Sequence, residues 1–151
     1  MLDCLPIYIS LLFVLTTFAT LLLFVWTIKN SNSEQTQKTT LSIFVSMTIW
    51  LTIQAILTIK IYNTDTNSFP PKIMLFGVFP TILTIILLFS TSKGRQFIDS
   101  LPLKNLTYLN SVRVPVEIVL FWLFLNKAIP ELVTFEGRNF DILAGISAPI
   151  I

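Results

Sequence analysis

Leu5-Pro-Ile-Tyr-Ile-Ser-Leu-Leu-Phe-Val-Leu-Thr-Thr-Phe-Ala-Thr-Leu-Leu-Leu-Phe-Val-Trp-Thr-Ile28 runs for 24 residues without a charge. A helix rises about 1.5 Å per residue and needs about 20 residues to cross about 30 Å of hydrocarbon, so this stretch can span a bilayer. Two further uncharged runs, Thr39 to Ile59 (21 residues) and Ile73 to Ser92 (20 residues), are also long enough. A barrel strand would need only about ten residues in strict apolar/polar alternation, and none of these runs alternates. The first run differs from a signal peptide. Met1-Leu-Asp3 has no basic side chain, the apolar core exceeds about 15 residues, and no small-x-small cleavage pattern occurs near Trp26 to Asn30. It reads as a retained anchor.

Composition points the same way. Of 151 residues, 54% are hydrophobic and 12% charged, with a mean hydropathy of +0.80. A soluble domain carries about 25% charged residues, so half that proportion cannot cover a water-facing surface. The net charge of +2 comes from dispersed basic residues, which leaves no electrostatic footprint for nucleic acid. Cys4 is the single cysteine, so neither an intrachain disulfide nor a thiolate cage can form. Histidine is absent, and with it the commonest proton shuttle, general base and transition-metal ligand. No cofactor or metal is expected. Nucleophile-elbow, P-loop, HExxH and paired-cysteine patterns are also missing, so no enzyme activity is expected.

Polar punctuation divides the spans. Lys29 to Lys38 and Asn63 to Pro71 read as connectors, and Lys93-Gly-Arg95 reads as the close of the third span, with glycine in a left-handed cap. Pro80 should kink that span. Tyr8, Trp26 and Tyr62 lie near span ends, where amphipathic rings suit the headgroup level. Trp50 is mid-span and is expected to pack on another helix. Gln96 to Leu106 suits either a short surface helix or a solvated loop. The expected architecture is all-α, a polytopic bundle in one transmembrane domain 1–151. Its spans are placed at about 5–28, 40–61, 73–92 and 112–128, with a partial apolar segment at 142–151. Because that last segment covers only half a bilayer, it is either a re-entrant end or the sign of a fragment, and the chain is expected to be the N-terminal part of a longer bundle. Six basic residues fall on the side of the 29–38 and 93–111 connectors and four on the other, which puts the N-terminus outside.

The chemistry concentrates in the fourth apolar element, Val112 to Ala128, which contains Arg113 and Glu117. Ionisable groups in a bilayer are costly and mark a pathway, a partner or a packed polar core. At about 100° per residue, Glu117, Leu120, Phe124, Lys127 and Glu131 all fall within roughly 40° of Arg113. The charges thus share one stripe, while Val116, Ile118, Trp122 and Leu125 form an uncharged face suited to lipid. Gln54, on the second span, is a candidate hydrogen-bonding partner for Glu117. The candidate polar seam is therefore Arg113, Glu117, Lys127 and Gln54. A carboxyl poised between desolvation and a neighbouring guanidinium can exchange protons, and a structural ion pair, between Arg113 and Glu117 or between one of them and another helix, explains the same residues. A second constellation, Glu136, Arg138, Asn139 and Asp141, fits either a polar-ligand loop or a solvated loop with Asp141 in the first turn of the next helix. Ser42-xxx-Ser46 and Ala144-xxx-Ala148 are small-residue pairs that permit close helix approach.

The run Val112-Arg-Val-Pro-Val-Glu117, followed by Thr134-Phe-Glu-Gly-Arg-Asn-Phe-Asp-Ile-Leu-Ala-Gly145, resembles a group of bacterial polytopic integral membrane proteins to which no function is assigned. The resemblance implies a bacterial inner membrane and carries over no functional residue. Two functions fit the residues. One is a multi-pass transporter or channel-like protein whose seam lines a polar path. The alternative is a non-catalytic membrane assembly or interaction protein that uses the seam as a helix–helix contact. The expected partners are the lipid bilayer and either partner helices or a second copy of the chain.

Overall fold

The computed structural model describes residues 6–58, 72 and 74–150, and among these there is no strand. The connector at 63–71, with Lys60 and Tyr62, lies outside the described residues, as does Cys4. The chain divides into two compact units, one drawn from residues 1–30 and 102–151, the other from residues 31–101.

In the first unit, α1 (Ile7–Lys29) packs against α6 (Leu103–Leu109) and α7 (Arg113–Leu125), and α7 packs against α8 (Asp141–Ser147). Ile9, Leu21, Ile28, Val119 and Ala148 are its buried apolar residues. α1 carries four threonines that would be costly in an apolar setting if left unpaired. All four return the hydroxyl to the carbonyl one turn back: Thr16 to Leu12, Thr17 to Phe13, Thr20 to Thr16 and Thr27 to Leu23, at 2.7–2.9 Å. The helix therefore takes polar side chains without needing a second helix to satisfy them.

The fourth apolar element begins earlier than its hydropathy suggests. α6, a 3-10 turn at Asn110–Val112 and α7 form one helical run, Leu103–Leu125, of 23 residues. Lys104 is the only charge in its first ten residues, which masks the apolar character of that part. Pro115 sits in the first turn of α7, directly after the 3-10 turn, where the run changes helical type. The run stops at Leu125 in a Schellman turn. Ala128 N–H donates to the Leu123 carbonyl and Lys127 N–H to that of Phe124, with Lys127 in the left-handed region at φ 57°. Trp122, expected on a lipid face, instead stands edge-on to Tyr8 at 4.9 Å between ring centres.

In the second unit, α2 (Glu34–Lys38) leads into α3 (Thr40–Leu57), and a wide π-helical turn (Met74–Val78) leads into α4 (Phe79–Ser90). Pro80 falls in the first turn of α4, just past the π turn. It marks a change of helical type rather than a mid-span kink, because a proline is tolerated where the preceding turn is already widened.

The chain then bends by 88° into α5 (Ser92–Ser100). Thr91 makes the corner. Its hydroxyl donates to the Leu87 carbonyl at 2.7 Å and accepts from Gly94 N–H at 3.1 Å, closing one helix and capping the next. Arg95 Nε donates to the Phe89 carbonyl at 2.7 Å, so a cation does meet the negative end of α4. Gly94, expected in a left-handed cap, is instead helical and buried inside α5. Its lack of a side chain serves close approach, since a Cβ there would collide with the Leu88 backbone carbonyl. Gln96 to Leu106 is accordingly neither one surface helix nor a loop, but is divided between the end of α5 and the start of α6.

α2 docks onto the end of α5. The buried hydroxyls of Thr36 and Ser100 share a hydrogen bond of 2.8 Å, and Asn32 N–H donates to the Ser100 carbonyl at 2.9 Å. α1, α3 and Leu103–Leu125 are each long and apolar enough to cross a membrane, and Met74–Ser90 with α5 makes a fourth if the bent pair counts as one span.

Candidate functional site

The two polar constellations of the sequence meet at the start of α7. Glu117 lies one turn into that helix and is 2% exposed. Asn139, from the loop before α8, donates Nδ2–H to Glu117 Oε1 at 2.6 Å. The same amide donates to the Val133 carbonyl at 3.2 Å, and its Oδ1 accepts from Asp141 N–H at 3.2 Å. Both ends of the amide are therefore committed, which fixes which way it points. Asp141 opens α8 and reaches back to Arg113, with 2.6 Å between Nη1 and Oδ2.

Of the two ion pairs expected as alternatives, the one between Arg113 and Glu117 does not form; Arg113 pairs instead with another helix, through Asp141 of α8. Arg113 is the first residue of α7 and its side chain remains 45% exposed, against 54% for Asp141. At that exposure the pair contributes about 0–1 kcal/mol, and it serves more to hold α8 in place than to stabilise the fold. Glu117 differs in kind. Its Oε2 is buried and has no hydrogen-bond partner among the described residues. Leaving a buried acceptor unsatisfied costs about 1–3 kcal/mol, more for a charged group, so such an atom needs a reason to be there.

The loop that delivers Asn139 is itself tightly folded. Thr134 is fully buried, its hydroxyl donates to the Glu131 carbonyl at 2.8 Å, and its own carbonyl accepts from the N–H groups of Gly137 and Asn139. Thr134 is the positioning residue that sequence reasoning passed over. The signal available was a threonine three residues after a glutamate at a helix-like turn, a common local motif. α8 then reaches α7 at very short range through Gly145, where an added Cβ would come within 2.8 Å of Val114 Cγ2 and 3.1 Å of Val114 N. The close contact runs through Gly145 and the buried Ala148, one register away from the Ala144–Ala148 pair read from the sequence.

The remaining candidates lie elsewhere. Lys127 falls past the end of α7 and is exposed, because the Schellman turn takes it off the helical stripe. Gln54 donates to the Phe76 carbonyl at 2.8 Å inside the second unit, so its amide has a partner other than Glu117. Glu136 and Arg138 are exposed on the loop, and neither touches the Glu117 carboxyl.

Chemically, the cluster offers one buried carboxylate with one oxygen held and the other uncommitted, beside a half-exposed guanidinium–carboxylate pair. It can accept a hydrogen bond, take a proton or coordinate a cation through a single oxygen. Among the described residues no group of three or more His, Cys, Asp or Glu could hold a metal ion. No protein family, curated protein or solved structure matches the chain.

Proposed function

We propose that the chain is a multi-pass membrane protein of the bacterial inner membrane, with the N-terminus outside, and that Glu117 forms the polar site of a transporter or channel-like protein. The observation that carries this reading is the uncommitted Glu117 Oε2, buried within the helical run Leu103–Leu125, which is long and apolar enough to span. Intramembrane carboxyls of this kind are costly to keep and are associated with ion and proton paths. Asn139 supports the reading because it orients the carboxyl without neutralising it. Arg113 and Asp141 then flank the site as a charged rim.

A second reading has its own observation. The Arg113–Asp141 pair and the close approach at Gly145 tie α8 to α7, as a clasp would. In that case the chain is a non-catalytic assembly protein, and Glu117 stabilises the contact.

The experiment uses the full chain in liposomes with an entrapped pH dye and an imposed potassium diffusion potential. Wild type is expected to pass protons or monovalent cations above empty liposomes, and Glu117→Gln to abolish that flux while keeping helicity and monodispersity. A Glu117→Gln protein with undiminished flux contradicts the path reading. Loss of folding in the same variant favours the clasp.

A further inference from the structure

The second unit contains a continuous furrow whose chemistry changes along its length. At its more polar end is a recess of about 360 Å³ lined by Gln35, Thr36, Thr39, Gln96, Lys93 and Phe97. That volume lies in the usual range for small-ligand sites, about 300–1,000 Å³. Thr39, Lys93 and Phe97 also line a second recess, of about 470 Å³, whose other walls include Ile43, Leu87 and Leu88. Thr84 carries the furrow into a third, of about 380 Å³, walled by Ser46, Met47, Trp50, Pro80, Thr81 and Ile85.

The profile is that of an amphiphile. Amide groups and one ammonium stand at one end, and along the rest aliphatic and aromatic side chains predominate, interrupted by the hydroxyls of Ser42, Ser46, Thr81, Thr84 and Thr91. The hydroxyls on the apolar part are largely self-satisfied, since Thr84 returns its hydroxyl to the Pro80 carbonyl at 2.8 Å and Thr91 to that of Leu87. Among the described residues Lys93 has no acidic partner, whereas Lys38 is paired with Glu34. The 88° bend puts α5, which carries Lys93 and Gln96, nearly at right angles to α4. With α4 across the membrane, α5 lies along its surface, and the polar recess sits at headgroup depth. From Leu88 to Thr81 the furrow follows α4 for roughly 10 Å, within the half-thickness of about 15 Å of one leaflet.

We propose that this furrow binds one anionic glycerophospholipid, with its phosphate at Lys93 and an acyl chain along α3 and α4. The proposal rests on the membrane reading above, though not on any role for Glu117. A solvated basic helix would also expose lysine; it would not need a polar recess that opens into an apolar channel through shared walls.

The test is native mass spectrometry of the detergent-purified full chain titrated with phosphatidylglycerol or phosphatidylcholine. Wild type is expected to bind one phosphatidylglycerol saturably and in preference to phosphatidylcholine. Lys93→Gln should weaken phosphatidylglycerol binding about fivefold, the effect of one lysine at a lipid surface, while Lys104→Gln leaves it unchanged. Ser46→Trp, which fills the apolar furrow, should weaken both lipids. Equal binding of the two lipids by wild type, equal losses in Lys93→Gln and Lys104→Gln, or full binding by Ser46→Trp would each overturn the proposal. Carbonate extraction of membranes separates the two claims. Release of the wild-type chain removes the membrane reading and this proposal with it, whereas retention with equal lipid binding removes this proposal alone.

Discussion

Asn139 decides how the Glu117 carboxyl is held. Removing its side chain leaves both carboxylate oxygens buried without a partner, and also frees the Val133 carbonyl and Asp141 N–H. Asn139→Ala is therefore expected to destabilise the protein by about 1–3 kcal/mol, measured by chemical unfolding in micelles. Asn139→Asp should cost more, because it sets a second carboxylate against Glu117. A neutral Asn139→Ala would show that the contact carries no weight. The four residues of the cluster were each readable as candidates in the sequence, yet in the wrong groups. Spacing rules on a helix link residues three and four apart, which pairs Arg113 with Glu117. The bond from Asn139 to Glu117 crosses 22 positions of chain, and only the folding of the Thr134 loop brings the two together.

At the scale of elements, run length identified the apolar helices well and their ends poorly. The break between α4 and α5 falls inside an uncharged run, and it is made by hydrogen bonds of the Thr91 hydroxyl that hydropathy does not register. The joining of α6 to α7 was hidden for the opposite reason, since Lys104 and the polar Asn105, Thr107, Asn110 and Ser111 dilute an otherwise continuous helix. Lys127 belongs with these ends, because left-handed termination at a non-glycine residue leaves no mark in composition. Glycines mark close approach where Cβ has no room. Gly145→Ala is expected to push α8 off α7 and to cost about 1–3 kcal/mol, because the new methyl meets Val114 at both side chain and backbone. Val114→Ala should recover only part of that loss, since the contact with Val114 N remains. Unfolding of the two single variants and the double variant measures both effects, and full recovery in the double variant would show that the backbone contact is not limiting.

For the molecule as a whole, the apolar exposure of α3 and α4 is the dominant fact. Phe44, Ile49, Ile53, Phe79, Ile82, Ile86 and Phe89 all present at least 36% of their surface. Apolar surface on that scale is unfavourable in water and neutral in hydrocarbon, which is why composition alone separated this chain from soluble domains. Composition could not show how the polar groups are managed. Thirteen percent of the residues are aromatic and 12% are charged, and among the described residues a single carboxyl oxygen is left buried and unpaired. The proposed path requires that atom to be reached by water, a proton or a cation. Water-edited solid-state NMR of the full chain in bilayers, with carbon-13 glutamate, tests it directly. If Glu117 lines a path, polarisation reaches its carboxyl as it does the exposed carboxyls of Glu34, Glu131 and Glu136. A Glu117 signal that stays dark while those three build up would contradict it.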